Sequence, residues 1–517
     1  MFWGRKGQDR EPSYPRLKIG FPRSAGSSPA VRTIAARRWL LACALPLTGC
    51  NPRPDTGPVV VSAIGGAPGY LDAATAPLTL SARLLVDATA QGLVRFDAAG
   101  QIEAGLAERW NVVDGGKTYI FRLRALRWDD GTLVDAEQVA ALLRRQIAPG
   151  SRNPLAPFLT AIGDVAVMTP QVIEVRLERP RPDLLKLFAQ PELGLLRLRP
   201  AANGTGPMRV VRDMGAALLL RPVPDPARTD PDDPRPVRAE DQLVLRGERA
   251  ASAITRFVAH RSDLVVGGGF IDWPLLASQP DLAPANVRID PAAGLFGFAI
   301  TSREGFLAEP AHRAAVAEAI DAGRLAGAVM TGWTAATTIL PDTLDSTGPP
   351  ATPSFVALDM ADRRAEAAGQ VAAWASGPIT LRVALPQGPG ATIVYGAVAA
   401  DLLRVGIAAT RVALDAPADL RLVDQVAPYD SARWYLATAC QPCGDAARAA
   451  LEQARDAAAL ADRSRWIAAA DQALVEDVAF IPLARPLRWS LVALRLRDWQ
   501  ANARAWHPLN RLRPAPM

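Results

Sequence analysis

The clearest hydrophobic pattern in the chain lies between residues 117 and 177. Tyr119, Phe121 and Leu123 fall at every second position, and this period of two predicts a half-buried β-strand. The apolar positions 173, 175 and 177 repeat the pattern and predict a second strand. This part of the chain is therefore expected to form a sheet with one face packed on a core.

Helix signals separate these two strands. Asp129-Asp130-Gly131 has the composition of a turn, since glycine accepts a positive φ. Asp135 is expected to cap the following helix, with Gln138 at the spacing of a capping box and an apolar stripe at 139, 142 and 143. Pro182 is expected to open a further short helix.

The same kinds of pattern recur along the rest of the chain. Strands are predicted at 59–61, 173–177, 243–245, 379–385, 480–483 and 488–496, and helices at 251–258, 312–321 and 397–403. The alternation of the two element types predicts a mixed α/β fold.

Residues 32–50 have the pattern of an export signal. Three arginines (32, 37 and 38) precede an apolar run at 39–47, which is too short to span a bilayer. Leu47-Thr48-Gly49-Cys50 resembles a lipobox, which implies cleavage before Cys50 and attachment of lipid to its thiol. An ordinary signal peptide with an incidental cysteine is the alternative. Because residues 1–30 fit no export pattern, we expect translation to start at Val31.

Charge changes the picture once this signal is set aside. The full chain of 517 residues has a formal charge of +6, but residues 1–49 hold nine of its 58 Lys/Arg and only two of its 52 Asp/Glu. The remaining 468 residues carry 49 basic and 50 acidic side chains, so no nucleic-acid partner is indicated. A chain of this length is expected to fold as two lobes or more.

Residues 85–139 carry a series of motifs in a fixed order. They are Gly92-Leu93-Val94, Asp97, Gly100, Leu106-Ala107-Glu108, Trp110, Asp114-Gly115, Tyr119-Ile120-Phe121, Leu123-Arg124, Trp128, Asp130-Gly131, Ala136 and Val139. This series resembles the family 5 extracytoplasmic solute-binding proteins, the peptide-, opine- and nickel-type receptors of ABC importers. Thinner matches extend along nearly the whole chain after Cys50.

The resemblance implies a two-lobed α/β fold of the class II periplasmic binding protein type, with mixed sheets flanked by helices and a ligand cleft between the lobes. We expect residues 50–58 to form a tether, 59–262 lobe 1, 263–475 lobe 2 and 476–517 the return to lobe 1. The implied protein is a monomer in the periplasm, held by its lipid, that passes a peptide-like or other small solute to an ABC permease and ATPase. No cofactor is implied.

Candidate ligand contacts come partly from this resemblance and partly from aromatic side chains in stretches that look like loops. Tyr70 lies in a loop similar to the family's P-x-x-L-D loop, and Thr205 and Gly206 lie in its GTGP motif. Binding clefts combine large flat side chains with a few polar groups. The aromatic candidates are Phe270, Trp273, Trp333, Trp434 and Tyr435. Packing in the core is the alternative for each of them.

One departure from the family pattern bears on the ligand. Peptide receptors of this family carry an acidic loop after a tryptophan, and the acid can pair with the α-ammonium of the peptide. Here Trp434 is followed by no acid until Asp445. A buried ammonium without a counter-charge is costly, so a free peptide N-terminus is not favoured as the anchor, and nickel is no better supported.

Cys440 and Cys443 are the cysteines that remain after Cys43 and Cys50, and an oxidising compartment favours a disulfide between them over a free pair or a zinc half-site. The sequence has no catalytic motif such as G-x-S-x-G, S-x-x-K or H-E-x-x-H, so neither an enzyme nor a metal site is predicted. The alternative function is a family member that has lost transport and acts as a sensory or envelope partner or a chaperone. A periplasmic hydrolase is the least favoured interpretation.

Overall fold

A computed structural model of the chain describes residues 56–199, 201–224 and 236–513. All of them lie within one unit, Arg53–Met517. The predicted signal peptide, the lipid site Cys50 and most of the predicted tether lie outside the described residues. Among the residues described, no helix is long and apolar enough to cross a membrane.

The described chain alternates strands and helices. The strands are β1 (Val59–Ile64), β2 (Val94–Phe96), β3 (Ile102–Ala104), β4 (Ala107–Val113), β5 (Thr118–Leu123), β6 (Ile162–Thr169), β7 (Val172–Leu177), β8 (Met208–Asp213), β9 (Ala217–Pro222), β10 (Leu243–Glu248), β11 (Leu264–Gly269), β12 (Val287–Asp290), β13 (Gly294–Ile300), β14 (Ile379–Leu385), β15 (Ile407–Ala413), β16 (Leu420–Val426), β17 (Phe480–Ala484) and β18 (Arg488–Val492). The α-helices are α1 (Leu80–Thr89), α2 (Ala136–Ile147), α3 (Leu184–Phe188), α4 (Ala250–Val258), α5 (Trp273–Ala277), α6 (Pro310–Ala319), α7 (Ala322–Val329), α8 (Met360–Ala373), α9 (Pro389–Arg404), α10 (Ala432–Ala439), α11 (Asp445–Asp456) and α12 (Leu460–Glu476).

Two mixed sheets form the framework. The first has seven strands in the order β12-β18-β11-β1-β10-β9-β8, in which β10, β1 and β11 run parallel. The second has five strands in the order β15-β14-β16-β13-β17, in which β15, β14 and β16 run parallel. β13 of the second sheet is buried at all seven positions, as expected for a strand that is covered on both faces. The predicted α/β fold class is confirmed.

A four-stranded antiparallel sheet, β4-β5-β7-β6, extends the first half of the chain. Tyr119, Phe121 and Leu123 of β5 are buried while Arg122 is exposed, as the period of two predicted. Phe121 pairs with Ile173 of β7, so the two predicted strands are direct neighbours.

The predicted helix cap before α2 is also present. Asp135 accepts a hydrogen bond from the backbone N–H of Gln138 at 2.8 Å. The side chain of Gln138 does not complete the capping box in return, because its Oε1 accepts from Trp128 Nε1 at 2.6 Å. The cap therefore anchors α2 to the turn that precedes it.

The described chain passes between the two main sheets twice, from β12 to β13 across 290–294 and from β17 to β18 across 484–488. β2 and β3 form a small two-stranded sheet. We call the part built on the seven-, four- and two-stranded sheets the first lobe (59–290 and 488–513) and the part built on the five-stranded sheet the second lobe (294–484). The predicted boundaries at 263 and 476 differ from this division, because β11 and β12 still belong to the first sheet and β17 to the second. An apolar strand pattern does not reveal which sheet a strand joins.

Candidate functional site

The loops that follow parallel strands of the two sheets meet each other. The N–H of Gly390, at the start of α9, donates to the carbonyl of Ile271, just after β11, at 2.9 Å. A Cβ at position 390 would lie 1.9 Å from the carbonyl oxygen of Phe270, so this approach requires glycine. Ligands of open α/β sheets bind at the carboxyl ends of parallel strands. The junction of the two lobes is therefore the candidate site.

An ion pair ties the lobes together beside one of the chain crossings. Arg488, the first residue of β18, donates from Nη1 to both carboxylate oxygens of Asp424 in β16, at 2.9 and 3.0 Å. Burial raises the pKa of Asp424, and the charge of Arg488 opposes this rise. The pair therefore joins a first-lobe strand to a second-lobe strand next to the crossing.

Three of the predicted contacts come together in the first lobe, at the end of α1. The N–H of Gly206 donates to the carbonyl of Thr89 at 2.9 Å, and the side-chain amide of Gln91 donates to the carbonyl of Thr205 at 2.7 Å. Burial raises the pKa of Tyr70, while a hydrogen bond with the Thr89 side chain acts in the opposite direction. Tyr70, Thr205 and Gly206 thus surround Thr89, and their role as ligand contacts stays a prediction.

An acid that the sequence search missed bridges the lobes on the other side. Asp430 lies in the loop between β16 and α10, and it forms ion pairs with Lys186 of α3 and with Arg504. Arg504 also donates to the carbonyl of Ala427 at 2.8 Å, and burial lowers its pKa to about 10. The family motif places an acid after Trp434, whereas the loop that holds Asp430 precedes Trp434. The turn residues after β16 are the sequence signal that indicates this loop.

Apolar side chains extend the same contact. The ring of Phe158 from the first lobe meets the ring of Tyr429 edge to face, with centroids 5.9 Å apart. One hydrophobic cluster runs from the four-stranded sheet into α10, α11 and α12. The lobes are therefore in contact, with charged and apolar groups on both sides.

Comparison with known proteins identifies this architecture. Residues 101–437 match the family model of the bacterial extracellular solute-binding proteins, family 5 (middle region). The chain belongs to this family.

The curated relatives of this solute-binding protein match it over limited segments. One is a probable deoxycholate-binding periplasmic protein of Escherichia coli K12, YgiS, 33% identical over 145 residues that cover 24% of this chain and 27% of the relative. Another is the glutathione-binding protein GsiB of the same strain, 29% identical over 144 residues, 28% of each chain. The match thus spans little more than a quarter of each relative.

Solved structures match over much more of the chain. The murein tripeptide binding protein MppA of Escherichia coli has a TM-score of 0.73 at 20% identity, covering 87% of this chain and 97% of that one. Haemophilus influenzae OppA, in complex with RPPGFSPFR, has a TM-score of 0.73 at 15% identity, covering 88% and 98%. The fold is that of the two-lobed periplasmic binding proteins, as predicted.

Two of the predicted aromatic contacts of this solute-binding protein pack inside a hydrophobic cluster to which both lobes contribute. Phe270 is fully buried and meets Phe296 edge to face at 4.9 Å, and Phe296 lies 4.7 Å from the ring of Trp333. Trp333 Nε1 donates to the carbonyl of Arg485 at 2.9 Å. Trp273 is half-buried and opens α5 beside the lobe junction. Trp273 is thus more exposed to solvent than Phe270 and Trp333.

Trp434 and Tyr435 were predicted to lie in a loop, and this placement is wrong. Both belong to α10, where they are 4% and 1% exposed, with their rings 5.0 Å apart edge to face. Burial raises the pKa of Tyr435 to about 12. The helix period was missed because α10 is only eight residues long and buried on most sides.

The end of α10 carries the two remaining cysteines. Cys440 and Cys443 form a disulfide, with their Cα atoms 4.8 Å apart. The described ranges hold no group of three or more His, Cys, Asp or Glu that could bind a metal ion.

Proposed function

We propose that this protein is the solute receptor of an ABC importer, a periplasmic lipoprotein anchored through Cys50. It would capture a peptide-like or other small solute between its lobes and deliver it to a membrane permease with its ATPase. Membership of the solute-binding family carries this proposal, together with the junction at which parallel-strand loops of both lobes meet.

Closure of the lobes is the proposed mechanism. The described chain crosses between the lobes twice, at 290–294 and 484–488, and the Arg488–Asp424 pair lies beside one crossing. The bridge from Lys186 to Asp430 joins α3 to the loop after β16 and would break when the lobes open. A solute that contacts both lobes binds only the closed form fully, so it shifts the population toward closure.

The charges at the junction bear on the class of solute. The acid of the loop after β16, Asp430, is already paired with two cations, Lys186 and Arg504. It is therefore a poor anchor for the ammonium of a free peptide N-terminus. Relatives of this chain are named for deoxycholate and glutathione, both of which carry carboxylates, and we favour solutes of this kind.

The decisive experiment is native mass spectrometry of residues 51–517, exported without lipid and purified gently. A co-purifying solute appears as a discrete added mass. The same protein is then melted with glutathione, deoxycholate, a murein tripeptide and nickel–histidine. A ligand at a hundredfold excess over its Kd stabilises the fold by about 2.7 kcal/mol. An apo protein that none of these shifts would favour the transport-inactive alternative.

The lipid anchor is tested separately. Cells that express the full chain are fed an alkyne-tagged fatty acid, and the Cys50→Ser variant is the control. Label on the wild type alone supports the anchor, and equal label on both proteins, or none on either, contradicts it.

A further inference from the structure

Five arginines converge where the first-lobe segment before α3 meets the helices α10–α12. They are Arg179, Arg181, Arg433, Arg455 and Arg463. The charges of Arg463, Arg179 and Arg433 act on Arg181, and those of Arg463 and Arg455 act on Arg433. Three acids also lie here: Glu178, Asp345 and Asp456. The group therefore has an excess of positive charge at the lobe junction.

Each of the three acids already has an arginine partner. Asp456 pairs with Arg455 at 2.8 Å and with Arg179 at 3.3 Å. Asp345 pairs with Arg463 and also accepts from the N–H of Ala432 at 2.7 Å. Arg179 lies 3.3 Å from Glu178. The three acids of the group thus form their ion pairs with Arg179, Arg455 and Arg463.

Neither of the two remaining arginines forms an ion pair with an acid among the described residues, and the charge of Asp456, which already pairs with Arg455 and Arg179, is the acidic charge that acts on Arg433. Arg181 donates only to main-chain carbonyls, those of Pro180 at 2.6 Å and of Arg455. Arg433 makes no hydrogen bond and no ion pair with any described residue, and its Nε is buried. Burial and the neighbouring arginines lower the pKa of Arg181 to about 10, and burial likewise lowers the pKa of Arg433.

The position of Arg433 adds to its unfavourable electrostatics. It is the second residue of α10, where the helix dipole places partial positive charge and favours anions over cations. The buried ring of Tyr429 lies close to both arginines, as its charge effect on each of them shows. A guanidinium held here without an anion costs stability, whereas one that binds an oxyanion does not.

We propose that Arg181 and Arg433 together bind an anionic group of the solute, a carboxylate or a similar oxyanion. Arg181 belongs to the first lobe and Arg433 to the second, so the anion would contact both lobes at once. The inference rests on the proposed function and assigns the site that recognises the charged end of the solute. Planar guanidinium groups suit this task because each can donate two parallel hydrogen bonds to one carboxylate.

The first test needs no solute. Arg433→Gln removes an unpaired charge, so the ligand-free protein should melt at the same temperature as the wild type or higher. Arg463→Gln is the matched comparison, because it leaves Asp345 without its partner and should lower the melting temperature. An Arg433→Gln variant that loses as much stability as Arg463→Gln would show a structural role and overturn the proposal.

The second test separates a solute carboxylate from a free inorganic anion. Glutathione and deoxycholate are titrated beside their carboxyl-blocked methyl esters, and sodium sulfate is compared with chloride at equal ionic strength. Arg181→Gln and Arg433→Gln should each weaken binding of the acids at least about tenfold and leave the esters unchanged. Arg448→Gln, on the exposed face of α11, controls for loss of charge alone.

The outcomes are distinct. If the arginine variants weaken binding of the acid and of its ester equally, or weaken neither, the anion site is overturned while the receptor function stands. If the wild type binds neither glutathione nor deoxycholate, these two compounds are the wrong solutes. The sulfate comparison then decides whether the two arginines form an anion site. Stabilisation by sulfate that Arg433→Gln removes and Arg448→Gln keeps supports an anion site, and equal stabilisation of all three proteins overturns it.

Discussion

A buried acid in the second lobe should make stability depend on pH. Asp471 of α12 is 2% exposed, and its Oδ2 accepts from the N–H of Ala351 at 2.8 Å while its Oδ1 is buried without a partner. Burial raises the pKa of Asp471 to about 6 from 3.8, opposed only by the hydrogen bond from Ala351. A carboxyl group whose pKa is higher in the folded state than in the unfolded state destabilises the fold once the pH exceeds the unfolded-state pKa.

The magnitude follows from the two pKa values. Each unit corresponds to about 1.4 kcal/mol, so the charge on Asp471 costs about 3 kcal/mol at pH 7.5 and about 1 kcal/mol at pH 4.5. Asp471→Asn carries no charge at either pH. We expect the variant to gain about 2 kcal/mol relative to the wild type between pH 4.5 and 7.5. Any cost of burying the amide is the same at both values and cancels.

The assay is urea unfolding followed by circular dichroism at the two pH values. Asp462→Asn on the same helix is the control, because the Asp462 side chain is 48% exposed and, among the described residues, forms its ion pair with Arg465. It should show almost no dependence on pH relative to the wild type. A stability difference for Asp471→Asn that is equal at both values, or larger at pH 4.5, would refute the reasoning.

Three further predictions concern the lobe junction and its surroundings. Gly206→Ala should cost about 1–3 kcal/mol in urea unfolding, since its Cβ would lie 2.4 Å from the backbone of Thr89; no loss would contradict this close approach. Asp430→Asn removes two partly exposed ion pairs worth roughly 0.2–1 kcal/mol each. The radius of gyration of the ligand-free variant, measured by small-angle X-ray scattering, should therefore be larger than that of the wild type, and an unchanged radius would count against the bridge. Cys440→Ser with Cys443→Ser should lower the free energy of unfolding by about 2 kcal/mol, as expected for so short a loop, and the reduced wild type should match the variant.

Local patterns predicted the elements of the fold well. The strand at 379–385 has the predicted bounds, and β5 buries the three side chains that the period of two selected. The cap at Asp135 is present because it depends on residues only three positions apart. These patterns could be recognised because the alternation of side chains along a strand and the capping of a helix depend on residues that are close together in the chain.

What depends on distant pairings could not be predicted from one sequence. Asp430 and its partner Lys186 are 244 residues apart, and nothing near either residue indicates the other. The same holds for Arg181 and Arg433, whose lack of an ion pair with any described acid is visible only once three helices are packed around them. Trp434 looked like a loop residue because a short helix buried on most sides lacks the polar face that marks a helix.

The positions of the charges at the lobe junction suggest how closure is controlled. Arg488 and Asp424 pair beside a chain crossing, so rotation of the lobes changes their separation little. The contacts of Asp430 with Lys186 and Arg504, and the hydrogen bond from Arg181 to the carbonyl of Arg455, join the two lobes and would break if the proposed opening separates these elements. Without a bound anion, the attraction of Asp430 for Lys186 and Arg504 holds the lobes together, whereas the repulsion between Arg181 and the second-lobe arginines pushes them apart. Under the proposal that Arg181 and Arg433 bind an anion, a bound anion would convert that repulsion into attraction on both lobes, and closure would then depend on the charged end of the solute.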